Sequence, residues 1–215
     1  MDNIDIANNL LIETQSLGPI ASFVLINQSE SVIIEHCEHY QKRSYRNRYK
    51  INTSNGYQML SIPLAKGKNS QLPISDVKIA YNENWIYTHL QAIRSAYGRS
   101  PYFEYYYDDI TQLMNKRFDY LWDFNLSFLE YFINKLKIKI HLKNTTTYEH
   151  KYNNLKDLRF AFNWDQYNIS QYTPVWAHEC DIPSDVSVLD LLFCTGPEAK
   201  LYLNNYNTLV NNKIY

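Results

Sequence analysis

Two apolar runs, residues 10–14 (Leu10-Leu11-Ile12-Glu13-Thr14) and residues 31–36, bracket a helix-like stretch over residues 20–27 that Gly18-Pro19 introduces. Strand, helix and strand within so short a span read as a βαβ-like unit, and such a unit commits the two strands to parallel pairing. A second constraint follows at once. Strand-like residues 46–52 and 57–64 flank Thr53-Ser54-Asn55-Gly56, and Asn-Gly between two such runs is the strongest local signal for a hairpin. Further along, residues 77–81 read as a strand. Residues 84–97 carry Trp85, Ile86, Leu90, Ala92, Ile93 and Ala96 at helical spacing, with Gly98 as terminator.

The clearest helix covers residues 119–137, where Leu121, Trp122, Leu126, Phe128, Leu129, Phe132 and Leu136 form one broad side. Residues 138–142 alternate as a strand before a polar connector at 143–147. Ser187 caps a helix with Asp190 at its third position, a carboxylate variant of the capping box. Gly196-Pro197 divides that helix from another at 198–206. The fold class expected is α/β: a mixed sheet with a βαβ-like opening and a β-hairpin, flanked by helices in one folded unit over residues 1–215. Residues 148–173 carry no pattern strong enough to assign.

Composition narrows the partners. A chain of 215 residues with 45% hydrophobic content can bury a substantial core, while a net charge of −1 and a pI near 6.6 argue against a dedicated nucleic-acid binder. No stretch approaches the roughly 20 apolar residues of a membrane span, and Met1-Asp2-Asn3-Ile4-Asp5 lacks the features of a secretory signal. Cys37, Cys180 and Cys194 are odd in number and far apart, which suits a reducing compartment. The expectation is a cytoplasmic protein whose partner is a small molecule. Nothing in the sequence specifies an oligomeric state.

Against that near-neutral background, Lys42, Arg43, Arg46, Arg48 and Lys50 are concentrated in nine residues and interleaved with Tyr45, Asn47 and Tyr49. If extended, this run places Lys42, Arg46, Arg48 and Lys50 on one face and Arg43, Tyr45, Asn47 and Tyr49 on the other. One reading is a site for a phosphate, pyrophosphate or carboxylate, with Tyr45 and Asn47 reading sugar hydroxyls. The other is a solvated strand whose charges discourage edge pairing.

His36-Cys37-Glu38-His39 combines metal-ligand side chains, yet on a strand His36 and His39 point to opposite faces, so a shared ion is not expected. Glu38 remains a candidate general acid or base. His89, on or near the apolar stripe of its helix, is either a hydrogen-bonded core residue, the commoner outcome, or a proton shuttle. Cys37 reads as a small core residue rather than a nucleophile. In Pro101-Tyr102-Phe103-Glu104-Tyr105-Tyr106-Tyr107-Asp108-Asp109, ahead of a helical segment, the rings suit sugars or a core. Asp108 or Asp109 suits either a magnesium ion beside substrate phosphates or a helix N-cap. Asn125 interrupts an apolar face and is expected to be hydrogen-bonded inside. Walker, G-x-G-x-x-G, G-x-S-x-G and H-E-x-x-H signatures are absent, His178-Glu179-Cys180 lacking the second histidine.

Taken together, these motifs resemble the WbqC-like proteins, named for members found in bacterial O-antigen and other surface-polysaccharide gene clusters, and above all their Bacteroidetes branch. The residues that carry the resemblance are Leu17-Gly18-Pro19-Ile20-Ala21-Ser22-Phe23, the run from Glu38 to Arg48, Asn55-Gly56 with Ser61-Ile62-Pro63, and Trp85 with His89. It continues in Ser95-Ala96-Tyr97, Ser100-Pro101-Tyr102-Phe103-Glu104-Tyr105-Tyr106 with Asp108, Asp123-Phe124-Asn125, and Ser187 to Phe193 with Gly196-Pro197-Glu198. Ala21-Ser22 replaces a polar-aromatic pair usual in the family, and Glu35-His36-Cys37-Glu38 stands where many members have paired aspartates.

The resemblance implies that Lys42, Arg43, Tyr45, Asn47, Arg48 and His89 line a pocket, and that the protein makes or decorates a surface glycan. The resulting expectation is a transferase that modifies a nucleotide-activated sugar or related intermediate. Arg43, Arg46 and Arg48, with Lys42, hold the anionic part, Tyr45 and Asn47 orient the sugar, Tyr97 and Asp108 contribute to binding, and Glu38 or His89 accepts a proton. No prosthetic group is required, although magnesium is compatible with substrate phosphates. The alternative is a non-catalytic binding or scaffolding subunit of a polysaccharide assembly system.

Overall fold

The computed structural model describes residues 9–152, 155–160, 167–168, 172–176, 183–204 and 207–208. The main sheet is parallel. β1 (Asn9–Glu13) pairs with β2 (Ser31–Glu35) in register, Leu10 opposite Val32 and Glu13 opposite Glu35. β5 (His141–Asn144) adds outside β2 and β6 (Lys156–Asp157) outside β1, giving the order β5-β2-β1-β6. α1 (Ile20–Gln28) makes the β1-to-β2 crossover, with every residue from Ile20 to Ile26 buried. A short helix apolar on all sides can exist only between layers, and here Phe23 meets Phe132 edge-on at 5.7 Å.

β3 (Arg48–Thr53) and β4 (Gly56–Ser61) form the expected antiparallel hairpin, a sheet of its own, so both pairing modes occur in the α/β fold. Gly56, at φ 103°, supplies the left-handed backbone that the Asn-Gly turn needs. The three central helices α2 (Trp85–Tyr97), α3 (Phe103–Asn115) and α4 (Leu121–Lys135) each bury one face. On α4 that face includes Phe128 and Phe132, both 0% exposed. Burying a phenylalanine stabilises the fold by about 1.5–3 kcal/mol. α5 (Val188–Thr195) packs on α1, α3 and β3, and α6 (Ala199–Asn204) follows a 3₁₀ turn at Gly196–Glu198. A two-residue pair, β7 (Tyr167–Asn168) with β8 (Asn207–Thr208), lies apart from the main sheet.

Several local expectations are corrected. Residues 42–47 form turns and a bend, with Arg43 at φ 58°, and the strand begins only at Arg48. The two-faced ladder over 42–50 therefore does not exist, because Arg46 turns inward to an acid instead of alternating along a strand. Residues 77–81 form single bridges, Lys78 to Tyr120 and Leu64 to Ile79, instead of a strand. The strand expected at 138–142 starts at His141, Ile138 being buried after α4. The aromatic cluster lies inside α3, so Asp108 is a mid-helix residue and not a cap. Ser187 does cap α5, accepting from the Leu189 amide at 3.3 Å. Asp190, fully buried, instead takes the hydroxyl of Tyr172 at 2.5 Å. His178-Glu179-Cys180 and the end of the 198–206 helix lie outside the described residues.

Candidate functional site

In open parallel sheets the carboxyl ends of the strands line one edge, and ligands bind outside that edge where the strand order reverses. That reversal falls beside β1, which carries β2 on one side and β6 on the other. The residues at this edge are charged and almost wholly buried: Glu13 is 5% exposed, Glu35 0%, Glu38 1%, Arg46 3% and Arg159 3%. Charges are rarely taken out of water without partners, so the pairing among them is the informative feature.

Arg46 and Glu38 make a forked pair, Arg46 Nε to Glu38 Oε1 at 2.7 Å and Nη2 to Oε2 at 2.5 Å. Burial raises the Glu38 carboxyl above the ordinary range, opposed by the hydrogen bonds from Arg46. The arginine reaches this position because its backbone is anchored. Its carbonyl accepts from Asn125 Nδ2 at 2.8 Å, and Ser16 Oγ lies 2.7 Å from both that carbonyl and Asn125 Oδ1. Asn125 is thus hydrogen-bonded inside the core, where it fastens α4 to the loop after β1 and to the arginine turn. A second assembly closes the β2 end. Arg159 Nη1 donates to Glu35 Oε2 at 2.6 Å and its Nε and Nη2 to Asp157, while Glu35 Oε1 accepts from Thr145 Oγ1 and the Cys37 amide.

Glu13 is different. Its Oε1 accepts from Gln15 Nε2 at 3.1 Å, but Oε2 is buried with no hydrogen-bond partner. Burial pushes its carboxyl up, against the pull of the nearby Arg46 charge, and the Glu38 charge adds to the rise. Glu13 also borders a narrow crevice, with Gln15, Gly18, Phe23 and Leu129, whose accessible volume of about 10 Å³ suits one water. A carboxyl that is hard to ionise, has a free oxygen and sits at a strand end has the properties of a general acid or base. In the sequence Glu13 is only an acid within an apolar run, and it marks no site until the strand order is known.

The cationic run separates into two groups. Arg46 is neutralised by Glu38, and Lys50 joins Tyr45 on the Asp185 carboxylate, Tyr45 Oη donating at 2.6 Å. Lys42 and Arg43 are exposed and Arg48 half-buried. Among the described residues none of these three has a carboxylate partner, and Arg48 Nε is buried without any. Asn47 does not face solvent: its Oδ1 accepts from Tyr40 Oη at 2.8 Å and its Nδ2 donates to the Ile62 carbonyl at 2.9 Å. The Tyr40 hydroxyl is raised by burial and lowered by both Arg48 and Arg46, so the unpaired guanidinium and the paired one share a neighbourhood. Glu38, Arg46, Asn47 and Arg48 are thereby brought together, with Lys42, Arg43 and Tyr45 on the turn that joins them.

His89 and Tyr97 lie on α2 and Asp108 on α3. His89 is 4% exposed, its Nδ1 2.9 Å from Tyr49 Oη and its ring edge-on to Trp85 at 5.0 Å. Tyr49 lies between Arg48 and Lys50 on β3, so strand alternation turns it to the core face, opposite theirs. Burial lowers the His89 pKa to about 4, a hydrogen bond to the Ser61 backbone opposing it, and the ring is neutral near pH 7. Of its two readings, the geometry is that of the hydrogen-bonded core histidine. The Tyr97 hydroxyl accepts from the Asn52 amide at 3.0 Å, and burial together with the nearby Asp190 charge raises its pKa. Asp108 is exposed on α3, and neighbouring Asp109 pairs with Lys135 at 2.7 Å. Among the described residues no group of three or more His, Cys, Asp or Glu side chains could hold a metal ion.

Among the described residues no helix is long and apolar enough to cross a membrane. No curated protein and no solved structure matches the chain. The profile of the WbqC-like protein family matches residues 19–168, more than two thirds of the 215 residues, and this span contains α1, β2, the arginine turn and the hairpin. The chain belongs to the WbqC-like protein family.

Proposed function

We propose that this protein is a transferase of surface-polysaccharide biosynthesis that acts on a nucleotide-activated sugar or a related anionic intermediate at the carboxyl edge of its parallel sheet. The family name is consistent with a polysaccharide-related role. The observation that carries the reading further is Glu13, a buried carboxyl with an unpartnered oxygen, coupled to the Arg46–Glu38 pair on a turn whose Lys42, Arg43 and Arg48 have no carboxylate partner among the described residues. Lys42, Arg43 and Arg48 hold the anionic leaving portion, where arginine forks match phosphate oxygens. Glu13 takes the proton of the acceptor hydroxyl or amine as that oxygen or nitrogen bonds to the transferred group. The bond to the leaving portion breaks with its electron pair, and the new negative charge falls on the cationic turn. Both Glu38 oxygens are occupied by Arg46, so Glu38 acts by fixing the arginine and raising Glu13.

Thermal shifts of the parent and of Arg48→Ala against a panel of nucleotide sugars test this directly. At least one nucleotide sugar raises the parent Tm, and the rise is lost in the variant. A flat panel, or an equal rise in both proteins, rejects the proposed site.

A further inference from the structure

Away from the strand ends, the start of α2 and the end of α3 enclose an open cleft of about 610 Å³. Its volume falls in the range of roughly 300–1,000 Å³ common for small-ligand sites. None of its lining residues belongs to the cluster around Glu13 and Arg46. The floor is Ile86 and Leu90, the rim Tyr81, Tyr87 and a ring of polar side chains.

Two properties of that ring point to a ligand class. The side chains of Asn82, Glu83, Asn84 and Asn115 are exposed and make no hydrogen bond within the described residues. Among the described residues Arg117 has no carboxylate partner. Its guanidinium lies 4.8 Å from the centroid of the Tyr81 ring, which is in turn stacked on Trp85 at 5.9 Å and tied through its hydroxyl to the Phe118 carbonyl at 2.8 Å. The cleft therefore offers planar amides, one carboxylate and a positioned guanidinium around an aromatic side chain, Tyr87, that is 59% exposed. Sugar rings present adjacent hydroxyls that are read by planar groups of this kind, and a C–H face that covers an exposed aromatic ring. The single cation and single anion of the rim nearly cancel, which disfavours a polyphosphate backbone. The apolar floor is too small and too buried to anchor a peptide side chain.

We propose that this cleft is a saccharide-binding subsite which holds a short uncharged glycan segment, separate from the anionic site at the sheet edge. Tyr87 supplies the stacking surface, and Asn82, Asn84, Asn115 and Arg117 the hydrogen bonds.

Amide NMR titrations of the full-length protein with maltohexaose, cellohexaose, chitohexaose and a mannan-derived hexasaccharide read the site out residue by residue. At least one probe shifts the amides of residues 81–87 and 115–117 in a saturable way. Tyr87→Ala, a change at an exposed position, weakens that binding about tenfold and leaves the nucleotide-sugar thermal shift untouched. Shifts from none of the four probes, shifts confined to other residues, or undiminished binding by Tyr87→Ala overturn the proposal. Because the nucleotide-sugar response is read separately, failure here and failure of the transferase reading are distinct results.

Discussion

Replacing Glu38 by Gln removes one charge from a pair whose members are 1% and 3% exposed and joined by two hydrogen bonds. The amide can accept only one of those bonds, and the guanidinium is left in a site that water hardly reaches. Breaking such a pair on one side costs about 3–5 kcal/mol, most of it the penalty of the stranded charge. The structure places the value near the lower end, because Glu13 lies close enough for its charge to couple to Arg46 and ionises to compensate once Glu38 no longer competes. For a chain of this length each kcal/mol corresponds to roughly 2–4 °C, so the variant melts about 6–12 °C below the parent. Urea unfolding at pH 7 measures the same loss as a lower midpoint at unchanged slope. The double variant Glu38→Leu with Arg46→Met, which removes both charges, recovers most of it. A loss under about 1 kcal/mol, typical of a surface ion pair, would refute the claim that this edge is an enclosed charge cluster.

Other consequences concern other parts of the fold. His89 titrates at about 4 when folded against 6.5 in its unperturbed state, so the unfolded chain binds the extra proton first. The stability it contributes is complete above pH 6.5 and lost as pH falls toward 4, by roughly 3 kcal/mol. In His89→Gln that part of the acid loss is missing from urea midpoints measured between pH 7 and pH 4. Gly196→Ala at the end of α5 places a methyl carbon 2.4 Å from the Tyr102 ring at φ 56°, and costs about 2 kcal/mol or more in chemical unfolding.

The elements legible in the sequence are those whose signal is local. The βαβ opening, the hairpin and the helices at Trp85–Tyr97 and Leu121–Lys135 follow from apolar spacing, Asn-Gly and a terminating Gly98. The arginine turn was not legible as a turn, because Arg46 is drawn inward by Glu38 and anchored by Asn125, 79 residues away. Charge alternation without an apolar face gave no means to tell that conformation from a strand. Asp190 misled for a similar reason: a position that fits a capping box is recruited by Tyr172, and a fully buried carboxylate must satisfy the donors that tertiary packing brings to it. Of the site, the cationic cluster was visible from the order of residues 42–50, whereas Glu13 becomes conspicuous only when β1 is seen to lie at the reversal of strand order.

The proposed role of Glu13 is that of a proton-exchanging carboxyl next to an anion site, and carboxyl-carbon NMR of glutamate-labelled protein observes that group itself. Its titration midpoint is expected above 4.5 in the free protein and higher still with the nucleotide sugar that gives the largest thermal shift, since a second negative charge nearby disfavours ionisation. A Glu13 midpoint within the ordinary glutamate range and indifferent to the nucleotide sugar would contradict it.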